Sequence, residues 1–442
     1  MAPRVDHVTS DEQLPSTTDV VIIGGGIIGV AAALTLAERG LPVVLCEKGQ
    51  IGAEQSSRNW GWCRQQGRDP RELPLIIESL RLWREMHQRT RCDVGFRQCG
   101  ILYLSATAKG IAHRETWLEH GRAHGVECRL LSSKEIAELL PGSAQEWPGG
   151  LYTPTDGRAE PTIAAPGMAR AAQRRGAKVF TQTAVRGIET TAGAVSAVVT
   201  EHGTIRCSTV ILAGGAWSGV FCRSLGIRLP LLSTIGSVFR TAPVVDATDR
   251  SVSGAGFAMR KRLDGGYSVS HGGVSHFDIV PDSFRFFTDF LQLAWMARKH
   301  LRPCLTERFL TEWKRQSSWP LDQVSPFEAI RTLDPRPRQG TLDRARRNLA
   351  AAFPAFKDVE ILESWGGLID ATPDAIPVIS PVETVPGFFL ATGLSGHGFG
   401  IGPAAGQLAA DVAIGAEPLV DPAPFRYSRF TDGSRVEPIV GI

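Results

Sequence analysis

Three glycines and one acid near the start of the chain have the types and spacing to hold a phosphorylated ligand. Gly24, Gly26 and Gly29 satisfy GxGxxG and stand between a β-branched run, Asp19-Val-Val-Ile-Ile, and an apolar helical stretch closed by Gly40. In that setting the first glycine permits a tight turn, the second lets backbone approach a pyrophosphate, and the third lets the helix pack on the strand. The free N–H groups and partial positive charge of the helix N-terminus then face the phosphates. Glu47 follows a second apolar run, 18 residues after Gly29, where a carboxylate accepts hydrogen bonds from both ribose hydroxyls and repels a 2′-phosphate. FAD or NAD remains. The next loop, Lys48-Gly-Gln-Ile-Gly-Ala-Glu-Gln55-Ser56-Ser57-Arg58, is rich in small hydrogen-bonding residues that suit a longer ligand carrying a ribityl chain and flavin. FAD is therefore favoured.

These residues need a strand, a helix and a second strand around them, a βαβ unit whose sheet is parallel. Residues 205–216 (IRCSTVILAGGA) repeat the pattern of a buried strand ending in glycines, which makes the first domain discontinuous. Between lie helical patterns at 74–90 and 132–140 and a β-rich stretch at 178–200. Segment 228–275 alternates apolar and polar residues around glycine turns and predicts an antiparallel sheet, a plausible substrate domain. Segment 283–302 is helical and aromatic, with Phe286, Phe287, Phe290, Ala294 and Trp295 forming a wide apolar face and Arg285, Arg298, Lys299, His300 and Arg302 at its margins. That face suits the protein's own core, a partner or a membrane surface. Gly402-Pro403 is expected to open a last helix reaching about Ile414.

Composition bounds the class. The 442 residues are 43% hydrophobic and 21% charged, room for two domains with a core each. A net charge of +3, with no basic run interleaved with aromatics, lacks the footprint of nucleic-acid binding. Residues 1–18 carry no apolar signal-peptide region and no charge-free apolar run reaches a spanning length, so the chain is read as cytoplasmic, with peripheral contact to the inner membrane as an option through 283–302. The eight cysteines are scattered, without zinc spacing, and no metal is expected.

The segments EKGQIGAEQSSR (47–58), AVRGIET (184–190), VILAGGAWS (210–218), SPFEAIR (325–331), ESWGGLIDATPDAIPVIS (363–380) and GPAAGQLAADVAIG (402–415) resemble the D-amino-acid oxidase superfamily of flavoenzymes. Among its members they look most like the bacterial membrane-associated L-amino acid deaminases, including an extra segment near 276–337. The resemblance implies an α/β (α+β overall) fold: a glutathione-reductase-type Rossmann FAD-binding domain, expected at 19–105, 150–225 and 360–430, and an antiparallel-sheet substrate domain at 106–149 and 226–359. It implies that Gly24, Gly26, Gly29, Glu47, Lys48, Gln55, Ser56 and Ser57 hold the ADP and ribityl parts, that Val185 meets adenine, and that Gly215, Trp217 and Gly366 line the cofactor. The loop of Ser395, Gly396, His397, Gly398, Phe399, Gly400 and Ile401 would lie along the flavin ring, with the Gly402 helix aimed at its pyrimidine side.

By the same resemblance Arg260 takes the place of the arginine that grips the substrate carboxylate with two prongs. Two departures matter. His397 stands where the deaminases have a tryptophan, and Trp60-Gly-Trp62-Cys-Arg64-Gln65 replaces small polar residues, so Arg64 and Gln65 are alternative contacts to a carboxylate or carbonyl. His397 is a candidate base or a filler beside the ring. The implied reaction is oxidation of the C–N bond of an amino acid or related amine to the imine, hydrolysed to keto acid and ammonia, with O2 or a respiratory quinone as acceptor. The alternative is a flavin subunit of a multi-subunit dehydrogenase. No cysteine follows Cys304, and FAD is expected to be noncovalent.

Overall fold

The structure, a computed structural model, describes residues 3–245 and 247–439. Strand β1 (Val20–Ile23), helix α1 (Ile27–Glu38) and strand β2 (Val43–Cys46) form the unit that the glycine spacing demands. β1 and β2 pair in parallel and are buried on both faces, which is why they read as unbroken apolar runs rather than alternating ones. Around them a six-stranded sheet runs Val378–Pro381, Phe388–Thr392, Thr209–Leu212, β1, β2, Lys178–Phe180; only the outermost Val378–Pro381 is antiparallel to its neighbour.

Every residue of α1 from Ile27 to Ala37 is buried. The helix lies under the sheet between Pro161–Gln173 and Gly398–Ala413, so it has no polar face. Its small residues let these helices approach closely. A Cβ placed on Gly406 would stand 2.5 Å from the Ala31 Cβ and 2.6 Å from the Ile28 carbonyl oxygen. The sheet's other face is covered by a three-stranded antiparallel sheet, Val185–Thr191, Ala194–Thr200 and Gly203–Arg206.

A ten-stranded sheet forms the second layer system. Its spine is the antiparallel pairing of Leu232–Thr241 with Ile361–Ala371. Strands at Ser251–Gly254, Phe257–Lys261, Tyr267–Ser270 and Ser275–Asp278 fill the predicted antiparallel region, and helix Gln339–Ala352 closes over the sheet through Leu342, Ala345 and Leu349. Strands Ile101–Ser105, Gly149–Thr153 and Ile361–Ala371 fall within the stretches expected for the cofactor domain, yet they hydrogen-bond in this larger sheet.

Two local expectations are corrected. The last helix begins at Gly398, not Gly402, and carries Pro403 inside it. Proline there forgoes the bond to the carbonyl of Phe399, four residues earlier, and the helix continues past it to Ala413. The aromatic segment is two helices, Pro281–Arg285 and Phe287–Ala297, followed by a strand at Leu301–Cys304. Its apolar face divides: Phe286, Phe290 and Leu293 turn inward against Leu232, while Phe284, Phe287, Leu291 and Trp295 face outward.

The close approach at Gly406 sets a stability test. Gly406→Val should cost about 1–3 kcal/mol through overpacking against α1, read as a lower urea midpoint. An unchanged midpoint would mean that the two helices can separate freely.

Candidate active site

The turn after β1 is built by contacts that only glycine permits. Gly24 has φ +108°, and a Cβ there would stand 2.5 Å from the Ala213 carbonyl oxygen. A Cβ on Gly29 would run into the carbonyl of Gly24, so the helix can sit on the strand only without one. Gly26 opens the N-terminus of α1, where Ser56 Oγ accepts a 2.8 Å hydrogen bond from the Ile27 N–H. The Glu47 carboxylate accepts from the N–H groups of Gly25 (2.6 Å) and Gly49 (2.7 Å), binding the glycine turn to the end of β2. Burial raises its pKa, against the pull of those hydrogen bonds and Lys48.

Beside this turn opens a cavity. Gly24, Gly26, Glu47, Lys48, Gln55, Ser56, Val185, Gly215 and Trp217 all line it, drawn together from three separated stretches of chain. The donor set fits an adenine dinucleotide with a flavin: free helix N–H groups for pyrophosphate, Glu47 for a ribose, and Gln55 for the ribityl chain. Gln55 Oε1 is buried with no partner among the described residues, as a group reserved for a ligand hydroxyl would be. Lys48 is held by Glu54 (2.7 Å) and lies 4.5 Å from the centre of the Trp217 ring, whose Nε1–H donates to Glu54.

Ser57 is buried and bonds back to the Glu54 carbonyl, outside the cavity lining. Gly366 receives Arg58 Nη1 at its carbonyl (2.9 Å) and packs on Pro335–Arg336, leaving its strand neighbours Leu368 and Asp370 to line the cavity. Glu54, Phe221, Phe327, Leu333, Leu368 and Asp370 are lining residues that the sequence reading did not single out. Asp370 was legible as an acid directly after the apolar pair Leu368-Ile369. Phe327 reaches the cavity only because its helix folds back from a remote segment.

The loop 395–401 divides in role. Ser395 (φ +49°) and Gly396 (φ +82°) make the turn, and His397 caps the Gly398–Ala413 helix. Phe399 packs 5.3 Å from Trp83, Ile401 enters the main core, and the Gly400 carbonyl accepts from Ser79 Oγ and Trp83 Nε1. Those three anchor the loop, and the presented surface is Ser395 to Gly398. The segment Trp62–Arg64 passes directly beside Gly400.

Arg260 is fully buried, and its guanidinium is already engaged: Glu160 takes it with two prongs at 2.5 and 3.0 Å, while Trp60 and Lys261 carbonyls accept from Nε and Nη1. Burial raises the Glu160 pKa but Arg260 and Arg262 outweigh it and hold the carboxyl below its ordinary value. Gln65 is committed as well, its amide nitrogen donating to Thr155 and Asp156. Burial lifts Asp156 to about 6 in spite of those donors. Arg64 differs. It is half-buried, makes one hydrogen bond among the described residues, to the Gln66 carbonyl, and lies over Tyr103.

Residues 19–412 match the DAO family, FAD dependent oxidoreductase. The chain belongs to this family. The structure of L-amino acid deaminase from Proteus myxofaciens in complex with anthranilate superposes with a TM-score of 0.94 at 34% identity, covering 98% of each chain. Glycine oxidase of Pseudomonas aeruginosa is 27% identical over 420 residues, 92% of this chain and 97% of that protein. Sarcosine oxidase subunit beta of Rhizobium meliloti is 26% identical over 432 residues, 95% of this chain and 90% of that one. This DAO-family chain is an FAD-dependent oxidoreductase, of the kind that oxidises C–N bonds of amino acids and amines.

Removing the Glu47 charge tests the cradle. Glu47→Gln should weaken FAD binding about 10- to 100-fold, the loss of a charged hydrogen-bond pair worth about 1.5–3 kcal/mol, measured by flavin titration of the apoprotein. Unchanged affinity would place the adenosine ribose elsewhere.

Proposed function

We propose that this enzyme oxidises the α-carbon–nitrogen bond of an α-amino acid, reading the substrate carboxylate with Arg64, and releases an imino acid that water converts to keto acid and ammonia. One observation carries the assignment. Of the two arginines expected at the substrate, Arg260 is spent on Glu160, whereas Arg64 keeps N–H groups unpaired among the described residues, partial exposure and a backbone beside Gly400. A planar guanidinium can fix a carboxylate through two parallel hydrogen bonds and so orient the α-carbon. The L-amino acid deaminase named above supports an amino-acid substrate.

FAD, noncovalently bound, supplies the acceptor for the hydride. The protein's part is to orient the α-carbon and tune charge near the ring. Burial, followed by Arg64, lowers the pKa of Arg68 to about 10, and Arg68 adds positive charge to the same corner. That charge favours an anionic substrate. Arg64→Met should raise KM for an amino acid about 10- to 100-fold, a charged contact worth about 1.5–3 kcal/mol, and leave KM for the corresponding decarboxylated amine unchanged. Arg260→Met should instead lower stability by about 3–5 kcal/mol by stranding Glu160, read by urea denaturation. The opposite pattern would return the carboxylate to Arg260.

Among the described residues no helix is long and apolar enough to cross a membrane. The outward aromatic face nevertheless supports peripheral membrane contact and a respiratory quinone as acceptor. Phe287 is 62% exposed, Trp295 68%, Trp313 69% and Leu305 77%, beside Arg285, Arg298, Lys299, Arg302 and Lys314. Aromatics with flanking cations are the composition of an interfacial anchor. The triple variant Phe287→Ser, Trp295→Ser, Trp313→Ser should lose at least about 10-fold in affinity for anionic phospholipid vesicles, by cosedimentation. Vesicle binding equal to wild type, with a stable complex to a second polypeptide through this face, would favour the multi-subunit alternative.

A further inference from the structure

Glu72 is fully buried immediately before the Leu73–Thr90 helix, and neither the cofactor cavity nor the carboxylate contact uses it. Its Oε2 lies 2.9 Å from Nδ1 of His397, and its Oε1 has no partner among the described residues. A carboxylate ion accepts hydrogen bonds only, so Nδ1 must carry the imidazole proton. Nε2 is then the unprotonated nitrogen. It makes no hydrogen bond among the described residues, and the side chain keeps 13% exposure on the presented part of the 395–401 loop.

The charges facing this ring come from two elements. Arg64 and Arg68 approach from the segment after Trp62, and Glu72 from the start of the neighbouring helix; the first turn of the helix that His397 caps has no acid. Burial is the largest influence on His397 and lowers its pKa, Arg68 and Arg64 lower it further, and Glu72 opposes them without prevailing. For Glu72, burial raises the pKa, but His397, Arg68 and Arg64 together bring it below the ordinary carboxylate value. The resting pair at neutral pH is therefore a neutral imidazole held by a carboxylate ion.

We propose that His397 accepts the proton that the substrate ammonium must lose before oxidation, and that Glu72 is the positioning residue that turns Nε2 toward the amine. This rests on the amino-acid reading above. An aliphatic ammonium keeps its proton at neutral pH and has no lone pair to drive hydride loss from the α-carbon. In the step, one N–H bond of the ammonium breaks and one Nε2–H bond forms. The positive charge passes to the imidazole against Glu72, no electrons change hands, and the proton leaves to water when product departs.

The test uses FAD-loaded protein with 15N-labelled histidine, His397→Asn assigning the resonance. In the wild type at neutral pH, His397 should show a protonated Nδ1 and an unprotonated Nε2; the reverse tautomer overturns the proposal. The acid limb of kcat/KM should fall below the ordinary imidazole pKa. Because Glu72 raises the His397 pKa, Glu72→Gln should move that limb to lower pH and cut the plateau about 10- to 100-fold. His397→Asn should abolish the limb and cost about 10²–10⁴-fold. Flavin content and the visible spectrum report whether each variant has folded. Wild-type turnover whose pH limb is unmoved in both variants overturns the proton-acceptor role alone, whereas wild-type flavin that no amino acid reduces at any pH overturns the substrate reading with it.

Discussion

Backbone meeting backbone at the end of β1 is the constraint on which the rest of the structure depends. Gly24 must pass the Ala213 carbonyl, α1 must sit on Gly24 without a Cβ at Gly29, and the last helix must lie on α1 at Gly406. Each contact removes space that any side chain would occupy. What remains is a helix N-terminus pointed into a cavity, with Glu47 holding the turn by two main-chain hydrogen bonds. The same packing brings the C-terminal helix, and with it His397, from about 370 residues away in sequence to the start of α1. The glycine turn and the placement of the 395–401 loop are thus one geometric requirement.

Around that apolar frame the enzyme buries an unusual set of ions. Arg260 with Glu160 and Arg429 with Asp374 each tie together segments distant in sequence. Buried pairs of this kind contribute little net stability, yet breaking one partner leaves an uncompensated charge. Their value here is positional. Arg260–Glu160 fixes the Trp60–Gly61 backbone, which leads on to Arg64 beside Gly400.

The sequence was most legible where local physics leaves one solution. GxGxxG between two apolar runs could only be a strand, turn and helix, and the strand at 209–212 announced itself by its trailing glycines. It was least legible where a residue's environment is made by remote chain. Arg260 was expected at a substrate carboxylate, because nothing local shows that Glu160 lies opposite. Glu72 had no signal beside its own helix, and Phe327 none for its place in the cavity wall. Pro403 suggested a helix start because proline is favoured in a first turn, but the anchoring of the Gly400 carbonyl by Ser79 and Trp83 lets the helix begin earlier. The aromatic segment at 283–302 was ambiguous because both answers hold, one edge buried on Leu232 and the other in solvent.

The most direct measurement is anaerobic mixing of the FAD-loaded enzyme with L-, D- and N-methyl amino acids while the visible flavin absorbance is followed. Bleaching by at least one α-amino acid, with keto acid and ammonia appearing once an acceptor is admitted, is the predicted result. A flavin that stays oxidised with every amino acid, but bleaches with an amine lacking a carboxylate, would contradict the account.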